Sequence, residues 1–111
     1  MKKIKFIFLF ASLIATTGVI AQSVDQGKRF FYYQRYNSAT EQLQKLVAAN
    51  PNNIEAVYWL GQTMIQNDDS LSAKALYQKT LASNGSAPLI LVGAGHIELL
   101  ENKTNDARQR F

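Results

Sequence analysis

Chemistry on this chain would have to start from a single histidine, His96, and from no cysteine at all. A lone imidazole with no thiol and no second imidazole cannot build a tetrahedral zinc site. Asp68 and Asp69 offer two adjacent carboxylates, but they stand just before an apolar-periodic segment. There, acids cap a helix and complement its dipole. Ser12, Ser23, Ser38, Ser70, Ser72, Ser83 and Ser86 lie in no nucleophile motif. Gly93-Ala94-Gly95 falls inside a helical register and lacks the preceding strand that a dinucleotide site requires. Asn84-Gly85-Ser86 and Asn102-Lys103-Thr104 match the N-glycosylation pattern, and Asp69-Ser70-Leu71 resembles a short O-glycosylation acceptor, although a helix-capping turn is the better account of the same residues. The residues therefore point away from an enzyme, and neither a cofactor nor a metal is expected.

What the chain does carry is a period. Gly27, Gly61 and Gly95 are spaced by 34 residues, as are Ala39, Ala73 and Ala107, each Ala twelve residues after its Gly. Glycine inside a helix costs about 1 kcal/mol relative to alanine. Small residues at a repeated spacing are what close helix–helix crossings need. A 34-residue period is that of a stacked helix–turn–helix array. The fold expected is an all-α solenoid of antiparallel helix pairs, about two and a half to three repeats, with pairs meeting at Gly27/Ala39, Gly61/Ala73 and Gly95/Ala107.

Further residues fall on the same frame. Gly27, Phe30, Tyr36, Ala39, Leu43, Leu46 and Pro51 mark a first unit. Trp59-Leu60-Gly61, Met64, Ala73 and Tyr77 mark a second, and Leu91, Ala94-Gly95, Ala107 and Phe111 a third. Over residues 24–111 this pattern resembles the tetratricopeptide repeat family. Departures from it are Glu98 at a usually large apolar position, Gly85 where a Pro is usual, Thr80 at a small apolar position, and Ser23 and Gln26 in the first helix. The resemblance implies a binding scaffold whose partner is a protein or peptide, of an identity the motifs do not specify.

The helices expected run about Asp25–Arg35, Ser38–Ala49, Ile54–Asn67, Leu71–Ser83 and Pro88–Glu101, with a last one starting near Asn105. Ser38 and Glu41 could form a capping box. Asn50-Pro51 stops the second helix, because the residue before Pro avoids the helical region. Asp68-Asp69-Ser70 turns the chain, Asn84-Gly85 fits a left-handed stop, and Pro88 suits a first helical position. Asn102-Lys103-Thr104 is the last turn expected. The helix would end at Phe111, a core position by register, so the repeat domain of residues 22–111 reads as incomplete at its C-terminus.

Residues 1–21 read as a secretory signal peptide: Lys2, Lys3 and Lys5, then the apolar run Ile7–Ile14, then Val19-Ile20-Ala21 before Gln22. The alternative is an uncleaved signal anchor in the inner membrane. The chain has 12 basic and 8 acidic side chains. Loss of the three lysines leaves 9 against 8, a net +1, so nothing in the charge favours nucleic acid. The expected location is the periplasm or outer envelope of a Gram-negative bacterium, with the membrane engaged only through the signal segment.

By the resemblance, the inner faces of the first helices line a groove. In the first unit these are Lys28, Phe31 and Tyr32; in the second Tyr58, Gln62, Ile65 and Gln66; in the third Val92, His96, Leu99 and Leu100. Only Lys28 is charged, which argues against a carboxylate clamp and for an apolar or amphipathic segment held by aromatic anchors. Four consecutive aromatics, Phe30 to Tyr33, cannot all face one way on a helix. Some pack on neighbouring helices, or some line the groove. Two functions stay open: a scaffold in the bacterial envelope, or the spacer arm of a longer envelope protein whose activity lies beyond residue 111.

Overall fold

The computed structural model describes residues 23–110, with side chains to residue 105. Residues 1–22, with the expected signal segment, and Phe111 lie outside the described residues. Five helices follow one another, with no strand among the described residues: α1, whose described part is residues 23–32, α2 Tyr36–Ala49, α3 Ile54–Gln66, α4 Ser70–Ser83 and α5 Pro88–Arg110. The tandem arrangement packs α2 on α3, α3 on α4, and α5 on both α3 and α4.

Local chemistry sets most of the boundaries. Asn50, held extended before Pro51, ends α2. The Asn53 side chain accepts the Ala56 amide at 3.3 Å and opens α3. Asp69 does the same for α4 through the Ser72 amide at 3.3 Å. Pro88 opens α5, where its missing N–H is harmless. Two connections use a left-handed residue, Gln34 at φ 60° and Asp68 at φ 62°, 34 positions apart like the glycines. Two expectations fail here. No Ser38–Glu41 box forms, because α2 begins earlier, at Tyr36, without a side-chain cap. Gly85 is not left-handed; α4 ends at Asn84, with φ −149° and ψ 76°, whose N–H donates to the Thr80 carbonyl.

The glycines do mark close approach, but to a different partner than the alanines. A β-carbon on Gly27 would lie 2.6 Å from Leu43. One on Gly61 would collide with the Tyr77 ring, and one on Gly93 would lie 2.6 Å from the same ring. The covering residue is thus sixteen positions after the glycine, and Ala39 and Ala73 sit buried one helical turn before it. Alanine there lets the two helices come near enough for the larger residue to seat on glycine.

Tyr77 is fully buried, and its hydroxyl donates to the Tyr58 carbonyl at 2.7 Å and accepts from Gln62 Nε2 at 3.4 Å. Burial pushes its phenol well above the ordinary tyrosine range. Two core clusters result. One is built on Val24, Ala39, Leu43, Leu46, Ala56 and Leu60; the other on Val57, Ile65, Ala73, Tyr77, Ile90 and Ile97. Val47, Met64 and Leu76 pack against both and make them continuous. Thr80 is accommodated because its hydroxyl donates to the Leu76 carbonyl at 2.9 Å, which satisfies a polar atom in a buried position.

The third unit differs from expectation. Asn102-Lys103-Thr104 makes no turn, and α5 runs unbroken for 23 residues to Arg110. Thr104 donates to the Leu100 carbonyl at 2.9 Å, a bond made within a helix. Gly95 has no neighbour within 4 Å of a β-carbon position, so the Gly95/Ala107 pair does not form. Residues 103–110 offer one apolar side chain, Ala107, and the position in register with Leu43 and Tyr77 is Phe111, outside the described residues. The described fold is two hairpins, α1/α2 and α3/α4, followed by a single helix.

The glycines therefore divide into tight and open ones. Gly61→Ala should destabilise the protein by about 1–3 kcal/mol through overpacking against a ring that cannot move. Gly95→Ala should stabilise it by about 0.5–1 kcal/mol by helix propensity alone. Urea unfolding of both variants checks the contrast. Tyr77→Phe should cost about 0.5–1.5 kcal/mol, the worth of a buried hydrogen bond. A phenol whose folded pKa is raised contributes stability below the unfolded value of 10.0 that is lost as pH rises beyond it. Alkaline unfolding should therefore be shallower in Tyr77→Phe than in the parent.

Candidate functional site

Trp59, half-buried on α3, gathers aromatic rings from two elements. Phe31 lies 5.3 Å away by ring centroid, Tyr32 5.7 Å and Tyr58 5.4 Å. Phe31 also contacts Tyr32 at 5.7 Å and Tyr36 at 5.9 Å. All five contacts are edge-to-face, an arrangement in which the positive edge of one ring meets the negative face of another. The Lys28 ammonium sits 5.4 Å from the centre of the Trp59 ring and 3.6 Å from the Glu55 carboxylate. Cation and ring attract, and Glu55 keeps the cation in place. Because the Tyr58 carbonyl accepts from the buried Tyr77 hydroxyl, this ridge is anchored to the core beneath it.

The aromatic run on α1 divides as helical geometry demands. Phe30 packs against the first core cluster, Phe31 turns to Trp59, and Tyr32 and Tyr33 are 67% and 77% exposed. Tyr32 is therefore both in contact with Trp59 and open to solvent.

A second feature lies between α3, the turn after it, and α5. An open cleft of about 640 Å³ is lined by Ile65, Gln66, Asp68, Ser70, His96, Leu100, Lys103 and Thr104. A neighbouring cleft of about 390 Å³ shares Ser70, Leu100 and Thr104. The larger one mixes an apolar floor with His96, Lys103 and Asp68 at its walls. Among the described residues, no group of three or more His, Cys, Asp and Glu side chains gathers as a metal site would require, and no helix is long and apolar enough to cross a membrane.

The expected groove residues thus fall into four places. Lys28, Phe31, Tyr32 and Tyr58 come together around Trp59. Ile65, Gln66, His96 and Leu100 come together in the cleft, with Ile65 almost wholly buried. Gln62 is buried and spends its amide on Tyr77. Val92 and Leu99 do not line the cleft and are 61% and 60% exposed on α5. Sequence reasoning placed Trp59 only in the repeat signature and missed it as the centre of the ridge. The available signal was the surplus of aromatics on α1, which needed an apolar partner on the next first helix.

A family model described as tetratricopeptide repeat matches residues 31–89, more than half of the chain. No curated protein and no solved structure matches it.

Trp59 is the chain's only tryptophan, so its emission reports on the ridge alone. Tyr32→Ala should shift that emission to the red by admitting water to the indole, while lowering stability by no more than about 1 kcal/mol, the scale of one aromatic pair. Fluorescence spectra and a parallel denaturation curve check both halves.

Proposed function

The chain belongs to the tetratricopeptide repeat family, and from that premise we propose that it is an interaction scaffold of the bacterial cell envelope. Repeats of this family mediate protein–protein interaction and typically have no enzymatic activity. The finer reading is that a peptide segment of a protein partner lies against the ridge of α1 and α3 and extends toward the cleft beside α5.

The observation that carries this reading is the ridge itself. Five aromatic rings with a rigid base and an exposed rim, flanked by one lysine, form a surface of the kind that dominates binding energy at protein interfaces. Aromatic side chains give large contact area for few rotatable bonds, so little entropy is lost when a partner docks. The core beneath the ridge is fixed by Tyr77 and Leu43, so the rings are preorganised before binding. The cleft adds amide, imidazole and ammonium donors that can fix the register of a bound segment. The envelope location is supported by the basic, apolar and small-residue succession in residues 1–21.

The test couples capture with location. The exported protein should begin at Gln22 or within about two positions of it, by the cleavage pattern of such segments. Mass spectrometry of the periplasmic fraction decides this, and intact chain in the inner membrane would mean an anchor instead. Immobilised parent protein should retain a partner from envelope extract that Tyr32→Ala plus Tyr58→Ala retains at least about tenfold less, equivalent to about 1.4 kcal/mol. Equal retention by the two, with both shown to fold, would remove the ridge from the proposal.

A further inference from the structure

The connection between α4 and α5 holds the chain's one Asn-Gly pair, Asn84-Gly85. Asn84 ends α4 with its N–H donated to the Thr80 carbonyl at 2.8 Å, and its own carbonyl accepts the Ala87 N–H at 3.4 Å. Asn84, Gly85 and Ser86 are exposed, whereas Ala87 is buried in the core cluster of Tyr77. The turn is therefore the tether that sets where α5 begins, ahead of buried Ile90 and of Gly93, which rests on the Tyr77 ring.

An asparagine side chain is an amide electrophile, and the backbone nitrogen of the next residue is its nearest nucleophile. Their reaction needs a carboxamide held by no other group, a following N–H that donates to nothing, and a backbone free to bring the two together. Asn84 meets each condition. Among the described residues its carboxamide makes no hydrogen bond, and neither does the Gly85 N–H. Gly85 has no side chain to restrict the approach. Around the position of a β-carbon there, only the Leu81 carbonyl comes within 4 Å, at 3.4 Å.

The other asparagines each lack one condition. Asn50 precedes Pro51, which has no N–H. The amides after Asn52 and Asn67 donate to the Asn50 and Ile65 carbonyls. Asn53 spends its carboxamide on the Ala56 amide. Asn37, Asn102 and Asn105 lie within α2 and α5, where the helix fixes the backbone.

We infer that Asn84-Gly85 is a site of spontaneous deamidation in the folded protein, and that the product loosens the seat of α5. The Gly85 nitrogen attacks Asn84 Cγ, and the new C–N bond closes a succinimide ring. The bond from Cγ to Nδ2 breaks, and that nitrogen leaves as ammonia with the proton lost from the Gly85 amide. Water then opens the ring. Attack at Cγ gives aspartate. Attack at the Asn84 backbone carbonyl gives isoaspartate, in which the chain runs through Cγ. Either product places a carboxylate at the C-terminal end of α4, where the helix dipole opposes it. Isoaspartate also lengthens the connection by one carbon. It turns the carbonyl that accepted the Ala87 N–H into a pendant carboxylate. None of this depends on the ridge or the cleft as a binding site.

The purified full chain is held in warm, mildly alkaline buffer, digested with trypsin at intervals and mapped by mass spectrometry. Cleavage after Lys79 and Lys103 gives one peptide, residues 80–103, that contains both Asn84 and Asn102. It should gain the mass difference between an amide and an acid at Asn84 and not at Asn102, as an aspartate and isoaspartate pair. Gly85→Ala should slow the change at least about tenfold, because the added β-carbon restricts the approach of the nitrogen. The 3.4 Å contact and the absence of a positive φ at Gly85 mean that this variant keeps the parent's circular dichroism. The rate in the folded protein should lie within about tenfold of the rate in urea, since no hydrogen bond protects the reacting groups. Material enriched in isoaspartate by ion exchange should melt below the parent. Asn84→Asp, which adds the charge without the carbon, should melt between the two. An unmodified Asn84, or protection by folding far beyond about tenfold, would overturn the site. So would a sugar on Asn84 in the native protein, which removes the reacting amide. An unchanged melting curve in the isoaspartate form would overturn the effect on α5.

Discussion

The fold depends on one ring. Tyr77 fills the space between α3 and α5 from its place on α4, resting on Gly61 on one side and Gly93 on the other. No side chain larger than hydrogen fits at either glycine without moving a fully buried phenol. The phenol in turn is fixed at its far end by the Tyr58 carbonyl and the Gln62 amide. A buried hydroxyl left without partners would cost about 1–3 kcal/mol. The backbone and the ring therefore constrain each other. Three helices are brought to a common point, where dispersion, exclusion of water and two hydrogen bonds act together.

That constraint reaches the surface in a single step. Tyr58 accepts the Tyr77 proton through its carbonyl and presents its ring to Trp59, so the segment of α3 bearing the ridge cannot rotate without breaking the core bond. On the α1 side Leu43 plays the lesser version of the same part, seated on Gly27, which is next to Lys28 and one helical turn from Phe31. The Lys28 to Glu55 ion pair is partly exposed and contributes little by itself. Its effect is positional, because it holds the ammonium near the Trp59 ring. Aromatic ridge and hydrophobic core are here two sides of the same pair of helices.

Much of this was legible in the residues. Repeated Gly and Ala located the first two hairpins, Asn50-Pro51, Asp69 and Pro88 located helix ends, and the four consecutive aromatics on α1 had to divide between core and other faces. The identity of the residue that meets each glycine was not legible. A period reports that something small recurs, and does not report what fills the space; Leu43 and Tyr77 differ in volume and polarity at the same register. Gly93 gave no periodic signal because its cause is Tyr77, a contact across helices. Trp59 stayed hidden because its sequence context fits a buried repeat residue as well as a half-exposed hub. The third turn misled for a related reason. Asn102 stands where Gln34 and Asp68 turn left-handed, but α5 passes through it as helix; the period marks the position and does not say whether the turn forms.

The contrast between Gly61 and Gly95 shows how a repeat unit is completed. Glycine by itself destabilises a helix, by about 1 kcal/mol against alanine. At Gly61 that cost is offset by the burial of a whole aromatic side chain, worth about 1.5–3 kcal/mol by the usual scale for large apolar residues. At Gly95 the cost is the same and nothing in the described structure offsets it. The flexibility of the chain there is spent on a surface, with Leu91, Val92 and Leu99 left in water around it. In a linear array each unit is stabilised by its neighbours. Among the described residues, Gly95 keeps the register of Gly27 and Gly61 without the covering side chain that Leu43 and Tyr77 supply, so the same glycine position is tight in two units and open in the third according to what packs on it.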